Sequence, residues 1–210
     1  MNGRVTSRSL RLVRFCTHNY GLNRSLIYRS MSTGDSSAGD SITYAPEPSQ
    51  VSEFYKKLFK TDNYFESDEL NLQLLTHKSF NHGQTPYNEG FRAIGRHALE
   101  LSLINFSLQQ TNQLKGVSEM WLQNACRPEN INKVAEQWGL QQVIRWKTPK
   151  LRASVDTKQS GLERVTFDTM LAIIGAVYMR KGARTAVDFC QKNLVPALIR
   201  LLHNTPRKQS

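Results

Sequence analysis

Arg92 and Arg96 stand four residues apart in the stretch NEGFRAIGRHALEL (Asn88–Leu101). That spacing puts both on one face of a helix. A guanidinium stays protonated at any biological pH, so the pair repels cations and offers forked donors to a carboxylate or a phosphate. Glu89 and Glu100 flank them, and Glu100, four residues after Arg96, is placed to pair with it. A second basic group, Lys147, Lys150, Arg152 and Lys158, shares the segment Lys147–Ser160 with one acid, Asp156. On charge alone this is the best phosphate-contacting loop, although an ordinary solvated loop has the same composition. The five histidines show no metal-ligand spacing. Cys16, Cys126 and Cys190 are odd in number, far apart and without a CxxC pair, which argues against zinc or a disulfide framework. No cofactor or metal is expected.

The elements that must position these side chains are helical. Asn88–Leu101 opens a long helix running from about Tyr87 to Asn112, and Leu162–Arg180 forms a second. Each carries a glycine, Gly95 or Gly175, in mid-helix. An interior glycine costs roughly 1 kcal/mol against alanine, so the pair predicts two helices crossing at close backbone approach. Ile94, Leu99, Leu101, Leu103, Ile104, Phe106 and Leu108 place apolar groups on more than one side of the first helix, which predicts that it is buried. Shorter helices are expected over Val51–Lys60, Asp68–His77 (capped by Ser67 or Asp68), Ser118–Cys126 and Asn130–Trp138. Pro128 suits the start of the last of these and Gly139 its stop. Ala183–Leu202 closes the chain as an amphipathic helix interrupted at Pro196. No two-residue alternation and no repeat is visible. The expectation is one all-α domain over residues 51–203, with a polar, basic tail at 204–210.

The chain has 210 residues, a net charge of +11 and a pI near 9.8, so an acidic partner is expected, nucleic acid before anionic membrane. Nothing approaches the roughly 18 unbroken apolar residues of a membrane span. Residues 1–31 hold Arg4, Arg8, Arg11, Arg14, Arg24 and Arg29 and no acid. On a helical wheel the first four arginines oppose Val5, Leu10, Leu12 and Val13. That pattern is the signature of a mitochondrial presequence, and losing its six charges leaves the remainder at +5. A disordered basic arm touching RNA is the alternative. Residues 32–50 (STGDSSAGDSITYAPEPSQ) read as a flexible linker.

Four stretches, in order and with fitting separations, resemble the endonuclease domain of ribonuclease III. LLTHKSF (Leu74–Phe80) is similar to the family's early "LTHRSY" run, and NEGFRAIGRHALEL to its signature helix, roughly N-E-x-L-E-F-L-G-D. Lys115–Leu140 resembles the middle helices, and FDTMLAIIGAVYMRKG resembles "ADTFEALIGAIYLDGG". The resemblance covers about residues 52–203 and implies the family's helical fold. It also implies the positions of four carboxylates that hold magnesium against the scissile phosphate. The signature Glu falls on Arg92, the Asp after the glycine on Arg96, and the later Glu on Leu171; only the later Asp, Asp168, is kept. With three of four ligands replaced, no hydrolysis is expected. Side-by-side helices would pair Asp168 with Arg92 or Arg96, or leave both arginines to bind an RNA phosphate.

The family dimerises through the signature helix by an aromatic knob, which here is Ala93. Ala93, Ile94 and His97 are therefore candidates for an interface with a different, complementary partner. A basic, mitochondrially targeted member without its metal site resembles the ribonuclease-III-like proteins of fungal mitochondrial large ribosomal subunits. Implied is a structural role in the matrix, binding ribosomal RNA and neighbouring ribosomal proteins, with a second ribonuclease-III-like protein as heterodimer partner. A non-ribosomal RNA-processing or RNA-stability factor is the alternative, and an active double-stranded-RNA endonuclease is disfavoured.

Overall fold

Gly95 and Gly175 meet where the two longest helices cross. In the computed structural model, which describes residues 41–61, 64–110, 119–149 and 155–204, these helices are α3 (Glu89–Gln110) and α6 (Val155–Phe189). A methyl built on Gly95 would overlap the Leu171 carbonyl oxygen and come within 2.9 Å of the Gly175 nitrogen. One built on Gly175 would overlap the Phe91 carbonyl oxygen. Only hydrogen fits at either position, so the backbones touch directly.

The surrounding elements follow their local signals. α1 (Pro48–Phe59) starts with proline in its first turn, and Glu47 and Gln50 form a reciprocal capping box. α2 (Asp68–Leu74) is capped by the Ser67 hydroxyl, which accepts from the Leu70 N–H at 3.3 Å. α4 (Glu119–Ala125) precedes α5 (Pro128–Gln137), and Gly139 takes the left-handed conformation, φ 79°, just after α5 ends. α6 breaks at Gly182, whose φ is 87°, then continues into a single π-type turn, Cys190–Leu194, and α7 (Val195–Asn204). The interruption expected at Pro196 thus lies in the turn before it. Phe59 stacks on Tyr64 at 3.9 Å and lies 5.3 Å from Phe189, which fastens α1 to the end of α6.

Three expectations need correcting. First, α6 rather than α3 is buried all round: every residue from Val165 to Val177 is buried. α3 packs one side against α6 and leaves Ala93, His97, Leu101 and Leu108 exposed along the other. Second, the fold is mostly helical yet carries a two-stranded antiparallel sheet. β1 (Ser41–Tyr44) pairs with β2 (Trp146–Pro149), with Ile42 opposite Thr148 and Tyr44 stacked on Trp146 at 5.1 Å. β1 and the start of α1 occupy the stretch read as linker. Third, the basic segment after Trp146 is no single loop: Lys147 lies in β2 and Lys158 in the opening turns of α6. Lys150 and Arg152, like the presequence and residues 32–40, lie outside the described residues.

Candidate functional site

Asn88 is the joint on which the site is assembled. It is buried just ahead of α3, its N–H donates to the Thr76 carbonyl at 3.0 Å, and its carbonyl accepts the Arg92 N–H at 3.0 Å. Its side-chain amide donates to the Leu74 carbonyl at 3.1 Å and approaches the Thr169 hydroxyl at 3.3 Å. One residue therefore ties the end of α2, the start of α3 and the middle of α6. Arg145, just ahead of β2, braces the same region: its N–H donates to the Leu75 carbonyl at 2.8 Å, and the His77 N–H donates to its carbonyl at 2.9 Å. The Arg145 guanidinium lies 4.3 Å from the centre of the Phe80 ring.

These ties leave an open cleft of about 310 Å³ lined by His77, Lys78, Tyr87, Asn88, Glu89, Arg92, Arg164 and Asp168. Asp168 sits at its inner wall with a side chain only 8% exposed. Each carboxylate oxygen faces a guanidinium: Oδ1 is 3.4 Å from Nη1 of Arg92, and Oδ2 is 3.4 Å from Nε of Arg164. Glu89 brackets Arg92 from the other side, at 3.7 Å. A buried carboxylate is stable only when paired, and here two cations compensate it. An ion of the magnesium type would have to displace both. Among the described residues no group of three or more His, Cys, Asp or Glu is placed to hold a metal.

The sequence-predicted residues separate. Arg92 and Asp168 are brought together. Arg96 lines a neighbouring hollow of about 330 Å³ with Pro128, Glu129, Asn132, Glu163, Arg164 and Phe167. Glu100 has His97 Nδ1 at 3.8 Å; burial raises its pKa, while His97 and Arg96 pull it down. Leu171 is fully buried at the helix crossing, in the core rather than on the cleft wall. Ala93 and His97 are exposed and Ile94 is half-buried on α3. Lys147 is tied to the segment after α2: its N–H donates to the Ser79 hydroxyl at 3.1 Å, and its ammonium lies 3.2 Å from His82 Nε2. Arg164, Lys78, His77 and Asn88 escaped the sequence reading as site residues. Arg164 had a signal, since it stands four residues before Asp168 on the same helix.

A family model described as "Ribonuclease-III-like" matches residues 67–198. The chain belongs to the ribonuclease-III-like family. Its relatives include the large ribosomal subunit protein mL57 of Schizosaccharomyces pombe, 28% identical over 148 residues that span 70% of this chain and 70% of the relative. The protein of the same name from Neurospora crassa is 25% identical over 173 residues, 72% of this chain and 64% of the relative. Among solved structures, the nuclease domain of ribonuclease III from Campylobacter jejuni matches 75% of this chain and 97% of its own length, with a TM-score of 0.53. At 21% identity that likeness shows the fold alone. In this ribonuclease-III-like chain the cleft beside Asp168 lies between the signature helix α3 and α6. No helix of the described residues is long and apolar enough to cross a membrane.

Proposed function

We propose that this chain is a non-catalytic component of the mitochondrial large ribosomal subunit, a ribonuclease-III-like scaffold that binds ribosomal RNA and neighbouring proteins. The observation that carries this reading is the name shared by relatives in two different fungi, each a large-subunit protein and each aligned over about 70% of this chain. The site's chemistry supports it. Two guanidiniums engage the one carboxylate kept at the family's metal-ligand positions, so the donor set does not fit a magnesium centre, and no hydrolytic step follows from it. A basic chain built on an RNA-handling fold keeps affinity for phosphates without needing to cut.

Residues 1–31 act as the targeting segment for the mitochondrial matrix. Arg92, Arg96, Lys147, Lys150, Arg152 and Lys158 contribute the positive face toward RNA. On α3, Ala93, Ile94 and His97 extend into Leu101 and Leu108, which are 50% and 65% exposed. An apolar stripe of this kind is a protein contact, here for a second ribonuclease-III-like subunit with a complementary knob.

Sucrose-gradient sedimentation of mitochondrial extract tests the assignment. The chain comigrates with large subunits and stays there after a high-salt wash. Release into the light fractions would instead favour an RNA-processing or RNA-stability factor.

A further inference from the structure

We propose that the outer edge of β1 is a strand-addition site, joined as a third strand by an extended segment of another protein in which apolar and acidic residues alternate. The proposal does not depend on the ribosomal assignment.

The pairing of the two strands fixes where their backbone groups point. Thr43 lies opposite Lys147, between the pairs Ile42–Thr148 and Tyr44–Trp146. In an antiparallel ladder alternate pairs exchange two hydrogen bonds, and the pairs between them turn their N–H and C=O groups outward. The Lys147 N–H turns away from β1 to the Ser79 hydroxyl, and Arg145 bonds in the same direction to Leu75 and His77. Pro149 has no N–H to give. The bonded pairs are therefore Ile42–Thr148 and Tyr44–Trp146. The far edge of β2 is taken by the segment after α2. The Thr43 N–H and C=O point out of the sheet's other edge, where no backbone group meets them among the described residues. An extended chain offers donors and acceptors at the matching repeat.

Edge strands commonly carry a lysine, a proline or a bulge that discourages further pairing. β1 has none of these; it reads Ser-Ile-Thr-Tyr, and three of its four residues favour strands. Its side chains set the character of the partner. Ile42 and Tyr44 share one face, with Tyr44 stacked on the buried Trp146. Tyr44 is still 41% exposed, so every second residue of an added strand gains apolar contact there. Thr43 and Lys147 share the opposite face, and Lys147 is the one charged residue in the two strands. The alternate residues of the added strand therefore face a cation. A net charge of +11 opposes a second copy of this chain and favours an acidic partner. β1 has only four residues, so these side-chain contacts supply much of the affinity and the selectivity.

The test combines amide hydrogen exchange with fluorescence anisotropy, using the purified full chain and a labelled peptide of alternating glutamate and valine. In the free chain the Thr43 amide exchanges at least about tenfold faster than those of Ile42 and Tyr44. The peptide binds and slows Thr43. Thr43→Pro deletes the outward N–H and keeps the bonds to β2; it weakens the peptide at least about tenfold and leaves the urea midpoint in place, whereas Thr43→Val binds as the parent does. A glutamate–glycine peptide of equal charge and a lysine–valine peptide both bind far more weakly. Failure of the glutamate–valine peptide to bind or to slow Thr43 would overturn the proposal. Equal binding by the glutamate–glycine peptide would reduce the contact to charge, and equal binding by the lysine–valine peptide would remove the acidic preference; either result overturns it. So would a Thr43 amide already slow in the free chain, which would mean that the chain covers its own edge, or a dimer in sedimentation that Thr43→Pro abolishes, which would make a second copy the occupant. The exchange measurement on the parent chain decides the matter even if Thr43→Pro does not fold.

Discussion

Alanine at Gly95 is expected to cost on the order of 4–5 kcal/mol, the upper end for a single substitution, or to prevent folding outright. The added methyl would overlap the Leu171 carbonyl oxygen, sit 2.6 Å from its carbon and sit 2.9 Å from the Gly175 nitrogen. These neighbours are backbone in the most buried part of the molecule, so no rotamer change relieves them. Overpacking in a core that can yield costs about 1–3 kcal/mol. Here two helices must separate and lose the contact that organises the domain. A typical domain has about 5–15 kcal/mol in total, so a large fraction of it is lost. Urea denaturation followed by circular dichroism measures the effect, and Gly175→Ala should match it. Gly90→Ala is the control: its new methyl meets nothing within 4 Å, so the variant stays within about 1 kcal/mol of the parent. A Gly95→Ala chain with the parent's midpoint would contradict the crossing.

Glutamate at Leu171 gives the second large effect. Leu171 is fully buried at the crossing, and its position matches a metal-ligand glutamate in the resemblance to ribonuclease III. A carboxylate there loses its hydration without gaining a partner, and the expected cost is on the order of 4 kcal/mol at neutral pH. Burial raises the folded-state pKa of such a group above its unfolded value of about 4.3. The variant is therefore least impaired below that value, and it loses stability as pH rises through the folded pKa. Denaturation midpoints at about pH 4 and pH 7 read this directly. A variant as stable as the parent at neutral pH would mean that position 171 reaches the solvated cleft.

Parts of this architecture were legible because their causes are local. Two interior glycines have few uses in helices other than close approach, and Gly95 and Gly175 mark the crossing. Ser67, Pro128 and Gly139 mark helix ends through backbone geometry that neighbouring residues decide. The sheet was not legible. Ser41–Tyr44 has too few residues to show alternation, and it is held by β2, about a hundred residues further along. Pairing at that distance leaves no trace in either short run. The exposed side of α3 was misread for a related reason: apolar residues on several sides show that a helix is covered, and the sequence does not say whether its own chain covers it.

The site divides along the same line. Motif positions carried Arg92 and Asp168 into one cleft, because helix register fixes both. They were silent on Lys78 and His77, although LLTHKSF contains both, since their place depends on how Asn88 and Arg145 fold that segment against α6. The i, i+4 spacing of Arg164 and Asp168 is readable, yet it takes the cleft's geometry to show that Arg92 lies between two acids while Arg164 faces one.

The proposed non-catalytic role depends on guanidiniums standing in place of a catalytic metal. Incubating the purified chain with long double-stranded RNA and either magnesium or manganese tests it most directly. Intact RNA is expected at every metal concentration. Discrete cleavage that disappears in Asp168→Ala would contradict it.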